Sequence, residues 1–135
     1  MTQMIFISLP VRDLSAATRV YEAIGCVRNA QFSDANASCM VLSDAITFML
    51  LSHAHYATFT DKPIADAHSA SAMMLALSQD SREAVDAIVA AAADAGGKAD
   101  VRPPRDMGFM YQRTFEDCDG NLFEPVWLNP AAMAG

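Results

Sequence analysis

The chain has 135 residues, a net charge of −7, 53% hydrophobic residues and 19% charged ones. That length suits one domain burying about two thirds of the surface its unfolded chain exposes, so neither a metal nor a disulfide is needed for folding, and disorder is excluded. The acidic balance disfavours nucleic acid and anionic membrane as partners, because a phosphate backbone demands a basic surface.

Residues 4–11 form a short Ile-rich run closed by Pro10 and Arg12-Asp13, and this reads as a strand. A helix is predicted over residues 15–24, where Leu14, Ala17, Val20, Tyr21 and Ile24 recur at steps of three and four. Asp13 or Ser15 can cap it, and Gly25 ends it. Strands are predicted over residues 26–33, 37–42 and 45–51, the last two joined by a turn at Ser43-Asp44. Residues 53–70 lose periodicity and gather His, Thr, Asp and Pro63, so they read as a linker.

The pattern then restarts. A strand over residues 73–78 leads into Asp80-Ser81-Arg82-Glu83, whose Asp80-to-Glu83 spacing suits a capping box. The helix predicted over residues 81–95 carries Val85, Ile88, Val89 and Ala92 on one face and stops at Gly96-Gly97. Beyond it come a short strand near residues 98–101, a break at Pro103-Pro104, and a strand over residues 110–116. A turn at Asp117-Cys118-Asp119-Gly120 then leads to a last strand over residues 122–128. Pro125 within that last strand predicts an edge, a bulge or an unpaired position.

Each half therefore reads strand, helix and three strands. An internal repeat of this kind outweighs any single strand assignment. The fold class is α+β: two βαβββ modules, about residues 3–52 and 71–129 of a single domain, with the linker between them. Cys26, Cys39 and Cys118 form no Cys-x-x-Cys pair and are expected to be small apolar residues of a reducing compartment. The N-terminal residues lack a cationic start, and no apolar run reaches the ~18 residues of a membrane span. A cytoplasmic location is the expectation.

The repeat resembles the vicinal oxygen chelate superfamily of glyoxalase I, extradiol dioxygenases and bleomycin-resistance proteins. The residues that carry the likeness are Leu9-Pro10-Val11-Arg12-Asp13-Leu14 leading into Tyr21-Glu22-Ala23-Ile24-Gly25, and Phe115-Glu116-Asp117-Cys118-Asp119-Gly120-Asn121-Leu122-Phe123-Glu124. Members usually end a strand in Asp-Pro-Asp-Gly with a Glu soon after; here Cys118 replaces the Pro and Glu124 is the Glu. The resemblance implies curved mixed sheets around a cup whose floor holds a divalent metal, with ligands from the first and last strands of each module. It also implies a homodimer.

Position by position, those ligand sites are poor in donors. The first-strand positions carry Phe6 and Met74, the last strand of module 1 offers Phe48 to Leu50, and Glu124 alone matches. Hard divalent ions need imidazole and carboxylate ligands, and one carboxylate does not hold a catalytic metal in water. No cofactor is therefore expected, and a divalent metal is disfavoured. His53 and His55, at an i, i+2 spacing that would align both rings on an extended chain, are the substitute metal candidates, and His68 stands alone.

Strand alternation sets Met4, Phe6 and Ser8 on one face and Ile5, Ile7 and Leu9 on the other. The same parity groups Leu122, Glu124 and Val126 with Met74 and Ala76, and sends Phe123, Pro125 and Trp127 to the helix side. Around Gly108, the run from Arg105 to Arg113 reads as an adaptable loop at a pocket mouth or as a satellite core. Tyr111 and Arg113 share a face, and Arg113 could serve an anionic ligand or pair with Glu124.

The expected ligand-binding set is thus Phe6, Ser8, Met74, Tyr111, Arg113 and Glu124, with Glu124 also the catalytic candidate. Two functions compete. One is a small-molecule-binding protein with an apolar, metal-free cup. The other is a metal-dependent lyase, isomerase or dioxygenase of the glyoxalase type, using Glu124 and unusual ligands.

Overall fold

A computed structural model describes residues 2–133, which fall into two compact units meeting between Asp66 and Ala67. Both repeat one plan, and the α+β class with two βαβββ modules is the one observed.

In the first unit, β1 (Ile5–Val11) runs into α1 (Leu14–Ala23). Asp13 is the cap: its side chain accepts from the Ala16 N–H at 3.1 Å. Gly25 has φ 110° and turns the chain out of the helix. The segment expected as a strand over residues 26–33 is only briefly extended, as β2 (Val27–Arg28), and then coils into a 3-10 turn at Ala30–Phe32. Asn29 and Ser33 explain this. The Asn29 side chain accepts from the Gln31 N–H, and the Ser33 hydroxyl donates to the Asn29 carbonyl, local bonds that compete with a sheet ladder. Next come β3 (Ala37–Val41) and β4 (Ile46–Ser52), giving the sheet order β1-β4-β3-β2.

The strand β4 lies parallel to β1, with Phe6 opposite Thr47 and Ser8 opposite Met49. Helix α1 packs against β3 and β4, where Tyr21 and Phe48 meet at 5.2 Å between ring centroids. Leu9, Val11, Val20, Tyr21, Met40, Phe48 and Leu50 form this core. Each such side chain contributes about 1.5–3 kcal/mol relative to exposure. A buried hydroxyl pair, Thr18 and Ser38 at 2.8 Å, ties α1 to β3. The start of the expected linker forms a single helical turn, α2 (His53–Tyr56).

The second unit repeats the plan with β5 (Met74–Ser78) and α3 (Arg82–Asp94). Here the cap is Ser81, accepting from the Ala84 N–H at 3.0 Å, rather than the expected Asp80. Then come β6 (Lys98–Ala99), β7 (Arg105–Asp106), β8 (Met110–Gln112), β9 (Phe115–Glu116), β10 (Leu122–Leu128) and a terminal turn α4 (Pro130–Met133). The sheet runs β6-β9-β10-β8-β7, with β5 pairing β10 on its other side.

Pro125 is not at an edge, for β10 lies between β5 and the β8–β9 stretch. The register sets Phe123 opposite Phe115 and Val126 opposite Gln112, so Pro125 faces Arg113. Arg113 donates its N–H to the Pro125 carbonyl at 3.2 Å, but proline has no N–H to return. The missing bond splits the strand expected over residues 110–116 into β8 and β9. Phe115 and Phe123 stack at 4.9 Å with their planes 1° apart, under α3.

Candidate functional site

The faces turned away from the helices carry Phe6, Ser8, Met74 and Glu124 of the residues singled out in the sequence. In the first unit Phe6 (59%) and Ser8 are exposed on β1 and Met4 just before it, whereas Ile7, Leu9 and Val11 turn toward the core. Ile5, expected on the core face, is 55% exposed at the start of the strand. On the same side as Phe6, Thr47 and Leu51 of β4 are buried and Met49 is half-buried.

In the second unit Met74 (60% exposed), Ala76 and Ser78 are exposed on β5, while Leu122, Glu124 and Val126 are half-buried on β10. Met74 lies opposite Leu122, Ala76 opposite Glu124 and Ser78 opposite Val126. The antiparallel register that sets Phe123 by Phe115 and Val126 by Gln112 brings Thr114 opposite Glu124 on the other side. Among the described residues no cation lies within ion-pair distance of the Glu124 carboxylate.

The parallel registers also fix which residues of the two modules correspond. Phe6 and Met74 occupy like positions on β1 and β5; two residues beyond their partners Thr47 and Leu122 stand Met49 and Glu124. Met49 is the residue that the sequence narrowed only to the stretch from Phe48 to Leu50. The four positions that the resemblance assigns to metal ligands therefore hold a phenyl ring, two thioethers and one carboxylate. That donor set does not fit a hard divalent ion.

Tyr111 and Arg113 lie elsewhere. The register puts Tyr111 beside Trp127 and Arg113 beside Pro125, on the α3 side of the sheet and away from Glu124. Arg113 clasps Asp100, Nε donating to Oδ1 at 3.0 Å and Nη2 to Oδ2 at 2.6 Å, and Nη1 donates to Asp86 Oδ1 at 2.9 Å. Tyr111 donates its hydroxyl to the same Asp86 oxygen at 2.7 Å. These two donors, Tyr111 first, pull the Asp86 carboxyl below its ordinary range, and the bond to Asp86 raises the Tyr111 hydroxyl. The expected Arg113–Glu124 pair does not form, because the strand pleat separates the two side chains. The signal was in the sequence: counting outward from the Asp117–Gly120 turn brings Phe115 to Phe123 and Arg113 to Pro125.

The run around Gly108 is a hairpin held down by Arg82. Its guanidinium donates to both Asp106 oxygens, at 2.8 and 3.0 Å, and to the Gly108 carbonyl at 2.9 Å. It also lies 5.2 Å from the Tyr111 ring centroid and 5.1 Å from that of Trp127. Met107 and Phe109 are exposed at the tip, so they do not form a buried satellite core.

His53 and His55 sit in α2, not on an extended chain, so a two-residue step turns their rings to different sides. The His55 ring packs edge-on against Phe59 at 5.2 Å. His68 lies beside Gly120, in the packing of the Asp117–Asn121 turn. Among the described residues no group of three or more His, Cys, Asp or Glu could hold a metal ion, and no helix is long and apolar enough to cross a membrane.

No protein-family model matches the sequence, and none of the curated proteins does. Solved structures do match. A glyoxalase/bleomycin resistance protein/dioxygenase family enzyme from Burkholderia phytofirmans is 19% identical, covers 94% of this chain and 99% of its own, with a TM-score of 0.75. The fosfomycin resistance protein FosX from Mesorhizobium loti is 18% identical over 100% of this chain and 99% of its own, at a TM-score of 0.70. A bleomycin resistance determinant encoded on the transposon Tn5 is 19% identical over 94% and 98%, at 0.63. The likeness read from the repeat and the Asp-x-Asp-Gly turn is thus a likeness of fold: the chain has the glyoxalase/bleomycin-resistance fold.

Proposed function

We propose that this chain, built on the glyoxalase/bleomycin-resistance fold, is a small-molecule-binding protein whose ligand rests on an apolar surface without a divalent metal. The observation that supports this reading best is the residue set at the four corresponding positions: Phe6, Met49, Met74 and Glu124. In the first unit Phe6 and Met49 offer contact area to an apolar or aromatic molecule with Ser8 as a polar anchor, and in the second Met74 does so with the Glu124 carboxylate. Two proteins of the same fold are named for resistance to fosfomycin and to bleomycin, which supports a ligand of antibiotic-like size.

Assembly of two copies belongs to the same proposal. Phe6 at 59% and Met74 at 60% exposure are large apolar side chains that a second chain or a ligand would cover. The thiols of Cys26, Cys39 and Cys118 are free, which supports a reducing, cytoplasmic setting.

Elemental analysis of the purified chain, followed by titration with Ni²⁺, Zn²⁺, Mn²⁺ and Fe²⁺, tests the metal-free part. The expected result is no stoichiometric binding. Tight binding of one ion that disappears in Glu124→Gln would overturn it and favour a metal-dependent lyase, isomerase or dioxygenase. Thermal-shift screening with aromatic metabolites and antibiotics tests the binding part. Shifts with at least one chemical class are expected, and their absence across all classes would sink the binding reading.

A further inference from the structure

The surroundings of Glu124 narrow the ligand further. Its carboxylate is half-buried in the middle of the second unit's sheet, on the face opposite α3. Along β10 its same-face neighbours are Leu122 and Val126, and on β5 it faces Ala76 with Met74 one step along. Across β9 and β8 the face continues as Glu116 and Gln112, with Thr114 between them, its hydroxyl accepting from the Arg102 N–H at 3.1 Å. The cations of this face, Lys98 and Arg105, stand on β6 and β7, two strands from β10. On the other side of the sheet Arg113 is committed to Asp86 and Asp100, and Arg82 to Asp106.

An ionised carboxylate is an acceptor only, so what complements it is a donor, best a cationic one. The protein places no cation within ion-pair distance of it among the described residues. Ala76, opposite Glu124, has a single methyl, and Met74, Leu122 and Val126 on the same face are apolar. A molecule that completes this arrangement carries an N–H cation at one end and an apolar or aromatic body at the other. It would exchange the water around Glu124 for a charge-assisted hydrogen bond, about twice as strong as a neutral one. The chain's net charge of −7 adds to the attraction for a cation.

We infer that the ligand is an organic cation, a protonated amine on an apolar or aromatic body, with its ammonium on Glu124 and its body along Met74, Leu122 and Val126. This rests on the binding reading proposed above and names the chemical class.

The test is a matched trio of probes that differ in charge on one body: tryptamine, tryptophol and indole-3-propionate. Affinities are measured on the full chain by calorimetry or ligand-observed NMR, with a chelator present so that metal plays no part. Tryptamine is expected to bind at least tenfold tighter than the other two. In Glu124→Gln, which keeps the shape and removes the charge, that preference is expected to shrink to about twofold or less, with circular dichroism confirming the fold. Equal binding of all three by the wild type would overturn the cation assignment and leave the binding reading standing. A preference for the amine that survives in Glu124→Gln would overturn Glu124 as the anchor. Failure of all three, together with a blank thermal-shift screen, would overturn the binding reading and this inference with it.

Discussion

Arg113 holds Asp100 through both carboxylate oxygens, at 3.0 and 2.6 Å, and Asp100 is the one non-glycine residue with positive φ, 52°, among those described. The two facts belong together. Asp100 donates its N–H to the Thr114 carbonyl at 2.8 Å, and the left-handed turn aims its side chain at Arg113. Aspartate tolerates that conformation better than alanine, for which it costs about 1 kcal/mol or more.

Asp100→Ala is therefore expected to lose both the ion pair and the tolerance, about 1–2 kcal/mol in all. Asp100→Gly loses the pair but not the tolerance and should cost less. Urea denaturation of the two variants checks the order; alanine proving the milder change would mean that the backbone turn carries no strain.

The bond from Arg82 holds the Asp106 carboxyl down at about 2, with help from the Gly108 N–H, against an ordinary aspartate value near 3.8. Because the folded state has the lower value, the unfolded chain takes up the proton first as pH falls. The contribution is full above about pH 4 and is lost progressively toward pH 2. Asp106→Asn should lower the neutral-pH melting temperature by a small amount, since the pair is exposed and screened by salt. It should flatten the acid loss by that same amount, so that the two profiles converge near pH 2. Identical acid profiles for the wild type and the variant would show that this pair does not couple folding to pH.

Much of this architecture was legible because the signals are local. Asp13 and Gly25 bound α1, Gly96 ends α3, and the Asp117–Gly120 turn sets the register of the last hairpin. The faces of β1, β5 and β10 follow from simple alternation except at Ile5, which is exposed at the start of β1, and Phe6, Ser8, Met74 and Glu124 stand on the faces that alternation puts them on. What escaped depends on contacts between strands. Tyr111 and Arg113 were given the right shared parity but the wrong face, because assigning the face needs the pairing with Trp127 and Pro125. Cap choice between Asp80 and Ser81 turns on one residue of backbone, and His53 and His55 changed geometry when their segment coiled into a turn.

Cys118 is only partly buried, yet its thiol is pushed up to about 12, first by burial and then by Asp119 and Asp117. Its Sγ lies 3.6 Å from Asp119 Oδ2. The thiolate is the reacting form, so Cys118 should react slowly with a disulfide reagent at pH 8 despite its partial exposure. Asp119→Asn removes one of the opposing charges and should speed the native reaction several-fold, with the rate in urea unchanged. Equal native rates would show that burial alone protects the thiol.

Gly120 and Gly25 separate two reasons for a glycine. Both have positive φ, 90° and 110°, so a side chain at either costs about 1–3 kcal/mol in backbone strain. At Gly25 a Cβ would meet nothing within 4 Å, whereas at Gly120 it would stand 2.6 Å from the His68 nitrogen and 2.8 Å from the Ala67 carbonyl carbon. Those atoms are backbone and cannot swing aside as a side-chain tip would. Gly120→Ala must therefore push residues 67–68 off the Asp117–Asn121 turn, in which the Asp117 side chain accepts from the Asp119 and Asn121 N–H groups. Gly120→Ala is expected to be more destabilising than Gly25→Ala by at least about 1 kcal/mol, because overpacking adds to the shared strain. Hydrogen exchange should locate the extra loss in the turn and the 67–68 segment. Equal destabilisation by the two variants would mean that φ alone, and not the close approach of His68, demands glycine in the Asp-Cys-Asp-Gly turn.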